Sequence, residues 1–234
     1  MAKAALRIAT NYELLNKSEL SPLQLEYLLK ALNFSRPNTQ IQSLIYKNLG
    51  TFYFQANEFT KALDYYTKSN LISPNPTIDY AIAVSYLKLS DYLNYEKYLH
   101  KAVSVISPYN ISPFKTYGQL LELSKKDYQG AAKYYKIATL LKNNPGPYIL
   151  LARVYLIQSK INKASNVISK GLNSFPENPT LTYLNGTVLL NKGRLNAGIS
   201  KLKDVVSNKN SPDDIREEAC NILKERNVVV DCKW

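Results

Sequence analysis

The chain has 234 residues, 45% of them hydrophobic and 21% charged, with a formal net charge of +12 at pH 7. This composition is that of a folded protein and excludes wholesale disorder. One histidine and two cysteines are too few for a multi-histidine metal site or a zinc site, so we expect no metal and no other cofactor. The sequence also lacks nucleotide-binding and hydrolase motifs, and we therefore predict no catalytic residues and no enzyme activity.

Residues 1–42 predict a helical hairpin. Its helices cover residues 2–16 and 22–34, with Ser21 as the N-cap of the second helix and Pro22 in its first turn. A terminal unit of a repeat array has a neighbour on one side only, and its sequence departs from the repeats for that reason. We interpret the hairpin as an atypical first repeat or an N-terminal cap.

A small residue recurs along the middle of the chain, at intervals of 33, 35, 34 and 34 residues. These residues are Gly50, Ala83, Gly118, Ala152 and Gly186. Each is followed by apolar residues spaced by three and four, first on one helix and then on a second. A small residue at the crossing point lets two helices approach closely. The pattern predicts five helix pairs, at about 43–75, 76–110, 111–144, 145–178 and 179–207, with one extra residue in the inner turn of the third.

Residues 208–234 predict a C-terminal capping helix and a tail. Pro212 is followed by Asp213 and Asp214, which suit the positive end of a helix dipole. The tail after residue 227 is too short to form a domain, and we expect it to pack back in an extended form.

The repeat pattern resembles the tetratricopeptide repeat family. The first repeat carries Tyr46, Leu49-Gly50, Tyr53, Ala62, Tyr66 and Pro74, and the fourth carries Tyr148, Leu151-Ala152, Tyr155, Ala164, Ile168 and Pro176. Ser69 and Gly171 stand where the family has a second alanine, and Tyr95 stands where it has the first. The resemblance covers residues 43–207. It implies an all-α, right-handed superhelical solenoid of stacked helix-turn-helix repeats. The composition is rich in Lys, Asn, Ile and Tyr, as AT-rich coding produces, and such coding is typical of some bacteria.

The resemblance implies a non-enzymatic scaffold or adaptor that binds a peptide or helix of another protein in a concave groove. The alternatives are a nucleic-acid-binding superhelix and a cell-envelope assembly factor. Lysine and arginine are dispersed through every repeat, whereas nucleic-acid binders concentrate them among exposed aromatic residues. The charge therefore favours a protein partner over nucleic acid.

The resemblance also places the groove on the first helix of each repeat, here called the inner helix. The predicted groove residues are Lys47, Thr51, Phe54, Tyr80, Val84, Leu87, Lys88, Lys115, Gln119, Glu122, Ile149, Arg153, Leu156, Ile157, Tyr183, Thr187 and Leu190. Their mixture of apolar and cationic side chains suits a partner segment with aliphatic anchors and carboxylates. Thr51 stands where the family's carboxylate clamp has an asparagine, so we predict no clamp of that kind.

The location and the cysteines are predicted together. No run of about 18 apolar residues could form a membrane helix, and Arg7 and Asn11 interrupt the apolar core of an export signal. We expect a cytoplasmic protein in which Cys220 and Cys232 are reduced. The alternative is a periplasmic or envelope-associated protein whose export signal was removed and whose two cysteines form a disulfide.

Overall fold

The computed structural model describes residues 1–15, 22–106, 111–141 and 144–232. These ranges contain helices and turns but no strand, which confirms the all-α fold. The predicted N-cap Ser21 lies outside them. The chain forms two compact units, Met1–Pro113 (unit 1) and Phe114–Trp234 (unit 2).

Unit 1 consists of three helical hairpins. Its helices are α1 (Ala2–Leu15), α2 (Pro22–Asn33), α3 (Gln40–Gln55), α4 (Phe59–Ile72), α5 (Pro76–Lys88) and α6 (Tyr92–Ala102). Apolar side chains of α1, α2 and α3, including Leu28 and Leu49, form one core cluster. A second cluster joins α4 to α5 around Tyr66 and Ile82. Each hairpin thus buries its apolar face against the next one.

Ser69, one of the departures from the repeat pattern, is explained by a buried contact. Its hydroxyl donates to the backbone oxygen of Ser43 at 2.7 Å, and the Ser43 hydroxyl donates to the backbone oxygen of Ser69 at 3.0 Å. Both residues are buried. The two hydroxyls therefore satisfy each other's backbone groups inside the α3–α4 interface, where an unpaired polar group would be costly.

Unit 2 continues the hairpins and ends in a single helix. Its helices are α7 (Ser112–Leu123, whose first two residues belong to unit 1), α8 (Tyr128–Ala138), a 3₁₀ turn (Thr139–Leu141), α9 (Gly146–Ile157), α10 (Ile161–Ser174), α11 (Pro179–Asn191), α12 (Leu195–Ser207) and α13 (Asp213–Glu225). Helix α13 contacts α12 and α11. Val228 and Val230 of the tail pack against the same core cluster.

A disulfide joins Cys220 of α13 to Cys232 of the tail. The prediction of reduced thiols was therefore wrong. The sequence left the pairing open because it depended on the tail folding back over α13.

The turns between the two helices of a repeat share one construction. Lys160 N–H donates to the oxygen of Tyr155, five residues back, at 2.8 Å, and the residue before Lys160 has a positive φ. This is the usual way for a helix to end with its last carbonyls satisfied. In the third repeat Asp127 N–H reaches six residues back to Leu121, which confirms the predicted extra residue. The positive-φ residues of the five turns are Asn57, Ser90, Lys126, Ser159 and Gly193.

Two glycines mark the tight helix crossings that the repeat pattern predicted. A Cβ atom on Gly50 would lie 2.6 Å from Cδ1 of Tyr66, and one on Gly118 would lie 2.5 Å from Cε1 of Tyr135. Neither distance is possible for a real side chain, so each tyrosine ring lies directly on glycine backbone. This close approach fixes where the two tyrosine hydroxyls emerge.

Candidate functional site

Inner helices α3 and α5 of unit 1 form a pocket of about 270 Å³. Five of the predicted groove residues line it: Lys47, Thr51, Phe54, Tyr80 and Val84. The remaining lining residues are Tyr66, Thr77, Ile78 and Ala81. Side chains from two neighbouring repeats thus line one pocket.

The floor of this pocket is made by Tyr66, which sequence reasoning assigned only to packing. Its ring is buried on Gly50, and its hydroxyl donates to Oγ1 of Thr51 at 3.2 Å. The Thr51 hydroxyl in turn donates to the backbone oxygen of Lys47 at 3.1 Å. Because the hydroxyls are engaged with each other, the pocket presents mainly apolar surface to a ligand. Within the described residues, the Lys47 ammonium has no ion-pair partner and supplies a positive charge beside that surface.

Leu87 and Lys88, the other two predicted groove residues of unit 1, are not part of the pocket lining. Both are exposed at the C-terminal end of α5. The pocket therefore covers the first three turns of α5 and not its last.

In unit 2 the corresponding tyrosine meets a charged residue. The Tyr135 ring is fully buried on Gly118, and its hydroxyl donates to Oε2 of Glu122 at 2.6 Å. Burial, and then the hydrogen bond to Glu122, raise the pKa of the Tyr135 hydroxyl, while the Arg153 guanidinium opposes that rise. Arg153 itself is exposed on inner helix α9.

Tyr183 repeats this arrangement on inner helix α11. Burial, and then a hydrogen bond to Glu218, raise the pKa of the Tyr183 hydroxyl, and Arg153 again opposes the rise. The charge of one guanidinium thus opposes the rise in the pKa of both tyrosine hydroxyls. Glu218 lies on capping helix α13 and was missing from the predicted site, because a capping helix has no repeat register from which to place it.

Comparison of the sequence with protein-family models and with curated proteins gives no match. Solved structures do match. YrrB, described as a tetratricopeptide-repeat protein with an unusual peptide-binding site, aligns with a TM-score of 0.63 and 16% identity, over 90% of this chain and 100% of its own. PilW, described as a widely conserved type IV pilus biogenesis factor, aligns with a TM-score of 0.63 and 14% identity, over 93% of this chain and 97% of its own.

A tetratricopeptide-repeat protein from Parabacteroides merdae aligns with a TM-score of 0.62 and 13% identity, over 97% of this chain and 88% of its own. This chain has a tetratricopeptide-repeat fold. The resemblance predicted from the repeat pattern is confirmed at the level of the fold.

The tetratricopeptide fold places the remaining predicted groove residues of unit 2 unevenly. Lys115, Gln119 and Thr187 are partly exposed on inner helices, and Ile157 is exposed at the end of α9. Ile149 and Leu156 pack partly against a core cluster. Leu190 is 9% exposed and fills the space above Gly198, so assigning it to the open groove was wrong. Because Gly198 has no Cβ, the leucine side chain packs against its backbone and is buried.

Two further observations bear on chemistry. Among the residues that the structure describes, no three His, Cys, Asp or Glu side chains are grouped to hold a metal ion. Over those same ranges, no helix is long and apolar enough to cross a bilayer.

Another pocket of unit 2, of about 420 Å³, lies at loops between repeats, and its Lys201 and Asp204 side chains pair with each other at 3.2 Å.

Proposed function

We propose that this chain is a non-enzymatic scaffold that binds a peptide or helical segment of another protein on the concave surface of its inner helices. The observation that carries the proposal is the convergence of five groove residues on one apolar pocket in unit 1. The peptide-binding site for which YrrB is described supports the same class of function on the same fold.

The chemistry of the pocket defines one feature of the partner. An opening of about 270 Å³ with an apolar lining suits a leucine-, isoleucine- or phenylalanine-sized side chain. Lys47 beside it suits a carboxylate on a neighbouring residue of the partner. The segment that docks on unit 1 therefore combines an aliphatic or aromatic anchor with an acidic residue.

Unit 2 offers a second contact of different character. Its exposed Arg153 has no hydrogen-bond or ion-pair partner within the described residues, whereas Glu122 and Glu218 are held by tyrosine hydroxyls. An exposed arginine without such a partner is available for bidentate binding of a partner carboxylate. Reversing Lys115 and Arg153 to glutamate should slow association with an acidic partner and leave helicity unchanged.

The test is a selection of peptides from a random library displayed on phage, using the full chain as bait. We expect enrichment of peptides with a large apolar residue next to an acidic one. Selected peptides should lose binding at least about tenfold to Val84→Glu, which places a charge in the apolar pocket. The matched control is Leu71→Glu, which adds the same charge at an outer-helix position that is 79% exposed.

The proposal fails if no peptide sequence is enriched, or if the selected peptides bind Val84→Glu as well as they bind the unmodified chain. Circular dichroism of both variants checks that the helices remain intact.

We also propose that the protein works in an oxidising compartment, which agrees with the envelope alternative. The disulfide between Cys220 and Cys232 supports this location, since such bonds persist outside the reducing cytosol. Alkylation of the freshly isolated protein without reductant, followed by mass spectrometry, tests it. No added label is expected, and two labels would place the protein in a reducing compartment.

A further inference from the structure

We propose that one edge of unit 2 binds the surface of an anionic lipid bilayer. The edge consists of the three turns that join the helices within a repeat, together with the residues flanking them: 123–127, 157–160 and 191–195. It is called the turn edge below. The turn edge includes one predicted groove residue, Ile157 at the end of inner helix α9, and otherwise lies outside the predicted peptide groove.

Topology places these turns together. Helices α7, α9 and α11 each precede an antiparallel outer helix, and α9 contacts both α10 and α11. Stacked hairpins of one orientation bring the C-terminal ends of their inner helices to the same side. The turn edge is therefore a continuous side of unit 2.

Each of the three turns exposes one large aliphatic side chain. Leu123 is 66% exposed, Ile157 is 52% exposed and Leu195 is 55% exposed. Leu123 and Ile157 are the last residues of α7 and α9, and Leu195 is the first residue of α12. Such side chains give little shape complementarity for a rigid protein surface, whereas a bilayer interface accepts any apolar group that reaches its depth.

Each turn also carries at least one basic residue within three positions of the aliphatic one. The basic residues of the turn edge are Lys125, Lys126, Lys160, Lys192 and Arg194. The one acidic residue in the three turns, Asp127, is the N-cap of α8 and accepts a hydrogen bond from the Gly130 N–H at 2.8 Å. The opposite edge carries the loops between repeats. There the acidic residues Glu177, Asp213 and Asp214 balance the charge of lysines such as Lys170 and Lys209.

Basic residues around protruding aliphatic ones match the two terms of binding to an anionic membrane, which are attraction to headgroups and insertion of apolar groups. Nucleic acid is a poorer match, because stacking with bases needs exposed aromatic rings, and the most exposed apolar side chains here are aliphatic.

Sedimentation of the full chain with vesicles tests the proposal. One set of vesicles contains phosphatidylcholine alone and the other contains about one third phosphatidylglycerol. We expect binding only to the second set, decreasing with salt. The variant Lys126→Glu/Lys160→Glu/Arg194→Glu should bind at least about 100-fold more weakly, since each basic residue near an anionic surface contributes roughly fivefold.

The matched control is Lys136→Glu/Lys170→Glu/Lys209→Glu, which changes the net charge equally at the opposite edge of unit 2. It should keep most of the binding. Equal loss in both variants would mean that net charge alone attracts the chain, and it would overturn the assignment to the turn edge. No binding to anionic vesicles by the unmodified chain would also overturn the proposal and would favour an acidic protein as partner of this edge.

Fluorescence provides a direct test of insertion. In a Trp234→Phe background, tryptophan replaces either Leu123 at the turn edge or Leu140, which is 65% exposed at the opposite edge. Anionic vesicles should shift the emission of Leu123→Trp to shorter wavelength and leave that of Leu140→Trp unchanged. A shift of both, or of neither, would contradict the proposed orientation.

Discussion

Tyr66 in unit 1 and Tyr135 in unit 2 occupy the same place in the repeat, and each ring lies on a glycine of the preceding inner helix. Their hydroxyls reach side chains of that same inner helix, but they meet different residues. Tyr66 donates to Thr51 at 3.2 Å, whereas Tyr135 donates to Glu122 at 2.6 Å. The packing of the repeat positions the hydroxyl, and the residue that it meets is neutral in unit 1 and charged in unit 2.

This comparison explains how one fold presents two surfaces. A threonine satisfies the tyrosine without adding charge, so Phe54 and Val84 dominate the pocket of unit 1. In unit 2 a glutamate accepts the hydrogen bond of the tyrosine and adds a negative charge, and the charge of Arg153 acts on the same hydroxyl. We expect the two units to differ in stability and in pH response for the same reason.

The largest effect is expected from filling the glycine crossings. Gly50→Leu and Gly118→Leu should each lower the free energy of unfolding by about 3 kcal/mol or more, because the side chain must displace a buried tyrosine ring. In a quasi-linear array the loss is local first. Amide hydrogen exchange should accelerate within α3 and α4 for the first variant and within α7 and α8 for the second. Uniform acceleration along the chain would argue against two separable units.

Removing the tyrosine hydroxyls should destabilise the two units to different extents. Tyr135→Phe should lower the free energy of unfolding by about 1.5–3 kcal/mol, because it deletes a hydrogen bond to a charged group. Tyr66→Phe deletes a longer bond between neutral groups and should lower it by about 0.5–1.5 kcal/mol. Denaturant titration of both variants measures the difference. Equal losses would mean that the facing residue has no influence on the tyrosine.

Alkaline pH should affect unit 2 through Tyr135 and Tyr183. The folded-state pKa of both hydroxyls lies above the ordinary tyrosine value of about 10, so the folded chain retains protons that the unfolded chain has lost. Their contribution to stability is complete below pH 10 and decreases as the pH rises further. Unfolding titrations across this range should show a steeper decline for the unmodified chain than for Tyr135→Phe/Tyr183→Phe. Parallel declines would contradict the assigned hydrogen bonds.

The helix pairs could be predicted because they depend on repeat register, and the resemblance named five of the residues that line the unit 1 pocket. Spacing located Gly50 on the crossing, and the same register placed Phe54 and Val84 on one surface. Contacts made by residues outside the repeats could not be predicted, because those residues have no repeat register. Glu218 reaches Tyr183 from a capping helix, and the partner of Cys220 depends on a fold-back of the tail.

Leu190 shows a different limit. Its place in the register is that of a groove residue, yet the absent side chain of Gly198 leaves a space that the leucine fills. Leu190 is buried because its side chain fits the space beside Gly198. The register of one helix gives no information on that space unless the residue opposite is considered as well. Tyr66 shows the reverse, since a packing residue also contributes its hydroxyl end to the pocket.

The smallest effect concerns the left-handed turn residues, which occur in both units. Ser90 has a φ of 60° and Ser159 a φ of 57°, a conformation that costs a residue with a Cβ about 1 kcal/mol and costs glycine little. Ser90→Gly in unit 1 and Ser159→Gly in unit 2 should each raise the free energy of unfolding by up to about 1 kcal/mol. The converse variant is Gly193→Ala, at a φ of 73°, where an added Cβ would have no atom within 4 Å. It should lose a similar amount through the backbone alone, and denaturant titration of the three variants measures these changes. A neutral Gly193→Ala, or a destabilising glycine at either serine, would show that the turns are not limited by backbone strain.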